Sequence, residues 1–165
     1  MPFDDKGKLA RSGNVISSLL NNLNALDYYQ NPFPKSLSNQ YGTHHVLPLL
    51  NEGGSFADLL HTYTEHISIQ TANAINKALE HRLDIDKKIL VTGGGAFNDY
   101  LMERLQNHLP DFRIELPDSQ TIKYKEALIM ALIGVLRWRE DPTALSSVTG
   151  ATRDSIGGAI WSGHQ

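Results

Sequence analysis

Ile89-Leu90-Val91-Thr92 runs without a break into Gly93-Gly94-Gly95 and then Ala96-Phe97-Asn98, and no other stretch restricts the fold as much. A short aliphatic, β-branched run reads as a buried, parallel-type strand, and three glycines force a tight bend after it. Leu101, Leu105 and Leu109, four apart, mark the helix that follows. Pro110 stops that helix, and Arg113-Ile114-Glu115-Leu116 reads as a second strand. The unit is strand, loop, helix, strand, which places the chain in the α/β class.

Around this unit the sequence is mostly helical. Val15, Leu19, Leu20, Leu23 and Leu26 predict an amphipathic helix over 15–28, closed by Asn31-Pro32-Phe33-Pro34. Residues 35–54 read as loop-rich, with only Val46, Leu47, Leu49 and Leu50 to anchor a short helix. Ser55 with Asp58 three residues on is close to a capping box. From there Phe56, Leu60, Tyr63, Ile67, Ala74 and Ala78 keep one face apolar to about His81. Residues 124–139 are apolar on nearly every side, as expected of a helix covered all round, with Gly134 suggesting a close backbone approach. Residues 1–12 are polar, carry the turn sequence Asp4-Asp5-Lys6-Gly7 and read as a connector. We expect one domain over 1–165, with its core in 13–165.

Composition removes several function classes. The net charge is −3, with Lys and Arg scattered, so neither nucleic acid nor an anionic membrane is an expected partner. Cysteine is absent, which excludes disulfides and fits a reducing compartment. The first residues have no apolar segment of the secretory type, and a cytoplasmic location is expected. His61 and His66 are five apart and His44-His45 adjacent, so protein side chains are not expected to ligate a metal. The serine-hydrolase pattern G-x-S-x-G is missing as well.

Three features carry chemistry. Gly93, Gly94 and Gly95 each cost roughly 0.5–1 kcal/mol against Ala in regular structure. Either a tight strand-to-helix turn needs them or a flat ligand such as a nucleotide approaches the bare backbone; the residues alone weigh these equally. The spacing fits neither the Walker loop nor the dinucleotide pattern. Asn98 either caps the following helix or also bonds a ligand. Glu126, read as lying near a helix start, is either an ordinary carboxylate favoured by the helix dipole or a group that aligns a hydroxyl or water by accepting its hydrogen bond.

Five segments in order, Phe3-Asp4-Asp5-Lys6-Gly7 with Ala10 and Gly13, Pro34-Lys35-Ser36, Ile89 to Ala96 with Asn98, Lys125-Glu126-Ala127, and Ser147-Val148-Thr149-Gly150-Ala151, resemble the C-terminal half of anhydro-N-acetylmuramic acid kinases, within the actin, sugar-kinase and Hsp70 superfamily. The resemblance implies the C-terminal lobe of a ribonuclease H-like ATPase fold, helix-rich here with few strands. It also implies a cytoplasmic ATP-dependent transferase of amino-sugar metabolism. That enzyme phosphorylates 1,6-anhydro-N-acetylmuramic acid at O6, with water opening the ring at C1, in peptidoglycan recycling.

By the same resemblance Gly93, Gly94, Gly95, Ala96 and Asn98 belong to the adenosine element, and Glu126 is the catalytic residue on the sugar side. ATP is the cofactor, with Mg²⁺ carried on it. The family's Gly-rich phosphate loop, magnesium-binding aspartate and GPGN-type segment with the catalytic aspartate have no counterpart in these residues. A chain of this kind is expected to be a poor kinase alone. It is expected to associate with itself or with a separately encoded N-terminal half. The competing expectation is a non-catalytic nucleotide-binding or interaction module.

Overall fold

Ser55 sets the longest element of the structure. Its hydroxyl accepts the Asp58 N–H at 3.1 Å and donates to the Asp58 carboxylate at 2.6 Å, opening helix α5 (Phe56–Leu79). The computed structural model describes residues 3–32, 35–51, 53–80, 86–161 and 163. Before α5 come α1 (Lys8–Ser12), α2 (Ser17–Asn24), α3 (Asn39–Tyr41) and α4 (Leu47–Leu50). After it come β1 (Lys88–Leu90), α6 (Asp99–His108), β2 (Arg113–Glu115), α7 (Ser119–Trp138) and α8 (Ser146–Thr149). The expected strand-loop-helix-strand unit is present: β1 and β2 pair in parallel, with Ile89 opposite Ile114, and α6 joins them. The expected end of α5 near His81 lies outside the described residues, as do Phe33 and Pro34.

The stretch read as a connector is tied down. Asp4 accepts the N–H groups of Leu9 and Ala10, both at 2.9 Å, so its carboxylate closes the start of α1. Gly13 lies so close to the start of α5 that a Cβ would collide with the Ala57 carbonyl. The Asn14 N–H then reaches the Asp58 carboxylate at 2.7 Å and the Ile16 N–H the Thr62 hydroxyl at 2.9 Å. These extended residues delay the helix expected over 15–28 to Ser17, and it ends at Asn24, with a separate 3₁₀ turn at Asp27–Gln30 after it. Further along, Gly42–Val46 is a π-helical segment between α3 and α4, so the His44-His45 pair is helical rather than extended.

The buried side of α5 differs from the expected one. Thr62, Thr64, Glu65, His66 and Ser68 are buried, whereas Phe56 is 69% exposed and Ala74 and Ala78 also face outward. Each buried hydroxyl bonds back to the carbonyl four residues earlier, Thr62 to Asp58, Thr64 to Leu60 and Ser68 to Thr64. With their hydrogen bonds made inside the helix or to packed neighbours, polar residues can occupy the interior. Among the described residues no buried side-chain nitrogen or oxygen lacks a partner. Two apolar clusters flank this seam: Leu19, Leu23 and Val46 on one side, and Ala72, Leu105 and Leu109, joined by Ile89, Val91 and Ile114, on the other.

His66 shows the energetic consequence. Its Nδ1 lies 2.7 Å from Asn24 Oδ1 and its Nε2 3.0 Å from the Tyr29 hydroxyl, and burial pushes its pKa from 6.5 down to about 4. The unfolded chain takes up this proton near pH 6.5, the folded chain only near pH 4. Stability present at neutral pH is therefore lost as pH falls through that window, by up to about 3 kcal/mol. The lowered carboxyls Asp58 and Glu65 act lower, below about pH 4.5. Urea midpoints at pH 7 and pH 5 should separate in the native chain and draw together in His66→Gln.

The second departure is α7. Only Ile122 is buried along it, while Leu128 is 67%, Met130 65% and Trp138 77% exposed. The helix exists where the apolar run predicts it, but the described residues do not cover it. A Cβ on Gly134 would meet nothing within 4 Å, so among the described residues no backbone approaches there.

Candidate functional site

The glycine bend occupies the end of β1. The Val91 N–H bonds the Glu115 carbonyl at 3.0 Å, and two residues later Gly93 takes φ 91° and ψ 178°, a region other residues enter at a cost of about 1–3 kcal/mol. Gly94–Phe97 forms one 3₁₀ turn, closed by the Ala96 N–H on the Gly93 carbonyl and the Asn98 N–H on the Gly95 carbonyl, both at 3.0 Å. The Asn98 side chain then accepts the Leu101 N–H at 3.0 Å and caps α6. Gly7 packs against Asn98 so tightly that a Cβ would collide with it, which ties the Asp4-to-Gly7 segment to the bend.

The three glycines are not equivalent. Backbone conformation alone requires Gly93. A Cβ on Gly94 would meet nothing within 4 Å, and one on Gly95 would make only an ordinary contact of 3.6 Å with Leu101. Both are exposed. Among the described residues, packing therefore does not explain Gly94 and Gly95, and no side chain fills the space where their Cβ atoms would stand. Ala96 is 3% exposed and anchors the turn from below, beside a cavity of about 140 Å³ lined by Ile67, Ser68, Thr71, Val91 and Met102 among others.

Helix α7 packs beside this bend. Asp118 accepts the N–H groups of Gln120 and Thr121 at 2.9 and 3.0 Å and starts the helix. Two turns on, Lys125 Nζ donates to the Thr92 hydroxyl at 2.7 Å. Glu126 thus lies inside the helix rather than at its start, so the dipole explanation weighed for it loses force. Its side chain is exposed and has no hydrogen-bond or ion-pair partner among the described residues. Its neighbour Lys125 is the group that joins the two expected pieces. Sequence reasoning quoted Lys125 without giving it that role, because its partner is 33 residues away.

A larger cavity of about 580 Å³ adjoins the small one through shared walls at Ile67 and Thr71. Tyr28, Tyr29 and Tyr63 line it, with Gln70 and Ala74 further along α5. Lys35, from one of the motif segments, donates to the Tyr28 carbonyl at 3.0 Å and lies over the Tyr28 ring. Among the described residues no group of three or more His, Asp or Glu is placed to hold a metal ion, and no helix is long and apolar enough to cross a membrane.

A sequence model of the anhydro-N-acetylmuramic acid kinase family matches residues 1–163. Curated relatives that bear that enzyme name include those of Aliivibrio fischeri, 31% identical over 163 residues, Nitrosomonas europaea, 32% over 164, and Variovorax paradoxus, 33% over 172. These alignments take in 96%, 98% and 97% of this chain but 44%, 44% and 43% of the relatives. The chain spans less than half the length of the curated relatives it matches.

Proposed function

This chain belongs to the anhydro-N-acetylmuramic acid kinase family, and from that premise we propose that it supplies the adenosine-binding side, and part of the sugar-binding side, of an ATP-dependent sugar kinase. In that reading its fold is the C-terminal lobe of a ribonuclease H-like ATPase, and the substrate is 1,6-anhydro-N-acetylmuramic acid in peptidoglycan recycling. Water bonds to C1 as the C1–O6 bond breaks, O6 takes the γ-phosphoryl group of ATP, and ADP and a proton leave.

The observation that carries the reading is the bare ledge at Gly94 and Gly95. An adenosine ring system is flat, and backbone without Cβ atoms lets it lie in contact while Gly93 holds the bend open. Mg²⁺ would arrive with ATP and neutralise phosphate charge. Lys125, bonded to Thr92, sets the rotation of α7, and Glu126 on the next position accepts a hydrogen bond from the anhydro sugar or the attacking water. Asn98 and Ala96 hold the ledge still, a positioning role.

Titration of the isotope-labelled chain with ATP tests this directly. Amide signals of Gly93 to Ala96 should move and saturate. Gly94→Val, which the open space around the Gly94 Cβ position tolerates, should weaken ATP binding at least ~10-fold, worth about 1.4 kcal/mol, with the unfolding midpoint unchanged. ATP that leaves these amides where they are would end the reading.

A further inference from the structure

One cation beside the glycine bend has no counter-charge among the described residues. Lys6, Lys8, Arg11, Lys88 and Arg104 each pair with a carboxylate. Lys125 is half-buried, and its one partner among the described residues is the neutral Thr92 hydroxyl at 2.7 Å. An ammonium has three N–H donors and a hydroxyl has one, so two N–H groups and the Thr92 O–H are left for an acceptor. A cation half withdrawn from water beside a neutral group gains from an anion that replaces the lost hydration. The position of the pair makes that anion a ligand group. Thr92 follows the carboxyl end of β1, the end at which parallel α/β sheets gather their ligands. Thr92 and Gly95 both line the cavity of about 140 Å³, and none of the residues lining that cavity is acidic. Thr92 stands two residues before Gly94, at most about 7 Å along the chain, within reach of the phosphates of an adenosine nucleotide that lies on the ledge.

We propose that Lys125 is the phosphate-reading group of the nucleotide site: its ammonium, held by Thr92, bonds the phosphate chain of ATP and gives the site its preference for nucleotide over nucleoside. The proposal rests on the adenosine-binding reading of Gly94 and Gly95, and it adds to that site a contact the bare backbone lacks. The ledge meets a flat ring and does not tell adenosine from ATP, since both carry the same base and ribose. The ammonium does, because one hydrogen bond to a charged group is worth about 10- to 100-fold in affinity. It acts as a point charge on a flexible stem and follows the phosphates without a fixed fork.

Titrations of the 165-residue chain with ATP, adenosine and tripolyphosphate at low salt, without added metal ion, test it. The native chain should bind ATP at least ~10-fold more tightly than adenosine, and it should bind tripolyphosphate. Lys125→Met keeps a long unbranched side chain that suits a helix. That variant should hold adenosine within ~2-fold of the native affinity but lose both the ATP preference and tripolyphosphate. Lys125→Arg should keep most of the preference, and raised salt should erase it in the native chain while adenosine binds as before. An equal loss for ATP and adenosine in Lys125→Met would mean that Lys125 only props the bend, and would overturn the proposal. So would an ATP preference that survives in that variant; if its affinity for 1,6-anhydro-N-acetylmuramic acid falls instead, the cation serves the sugar's carboxylate. Adenosine that moves the Gly93 to Ala96 amides while ATP binds no more tightly sinks only the phosphate role. Tripolyphosphate bound by the native chain and lost in Lys125→Met, with those amides unmoved by adenosine, sinks only the ledge reading.

Discussion

Given ATP and 1,6-anhydro-N-acetylmuramic acid, the purified 165-residue chain should form sugar phosphate at least ~10³-fold more slowly than a full-length relative, followed by ³¹P NMR of the product. Phosphoryl transfer depends on several groups that position the reactants and spread charge at once. Loss of a single preorganised donor in such a site costs about 10²–10³ in rate. In the proposed reading the phosphate loop and the catalytic aspartate that the family resemblance implies are supplied from outside these residues, and Gly94, Gly95 and Glu126 contribute binding and orientation. Addition of the remaining portion of a relative should recover much of the rate, and Glu126→Gln in that mixture should lower it again. Turnover by the chain alone within ten-fold of the relative's would show that these residues hold a complete catalytic set.

What the sequence revealed follows the range over which each signal acts. Ser55 and Asn98 cap helices through contacts three residues long, so both helix starts were legible. The strand-glycine-helix unit is likewise local, and its parallel partner Arg113–Glu115 follows from the length of one connecting helix. The buried face of α5 was not legible. Thr62, Glu65 and His66 look like surface residues until their partners are known, and those partners, Ile16, Arg104 and Tyr29, stand 46, 39 and 37 positions away. Helix α7 fails in the opposite direction. Its apolar character predicts a helix covered all round, and among the described residues most of it is uncovered. Lys125 falls between these cases, since its charge was visible and its hydroxyl partner across the bend was not.

Arg104→Ala should lower folding stability by about 3–4 kcal/mol. Glu65 is buried on α5, and its carboxylate takes Arg104 Nε at 2.6 Å, Arg104 Nη2 at 3.0 Å and His108 Nε2 at 2.7 Å. Burial acts to raise its pKa, but the bonds from Arg104 and then His108 outweigh it and hold the carboxyl below its usual value. Removal of Arg104 strands a desolvated charge with His108 as its remaining partner. Replacement of both members, Glu65→Leu with Arg104→Met, should cost far less, because no unpaired charge is left inside. Urea unfolding of the two variants gives the comparison, and a loss below about 1 kcal/mol for Arg104→Ala would mean that solvent already screens the pair. The same clamp fixes α6 against α5, and with it the Asn98 cap and the walls at Ile67 and Thr71. Arg104→Ala should accordingly weaken ATP binding under conditions where the variant is still folded, an effect the double replacement should largely restore.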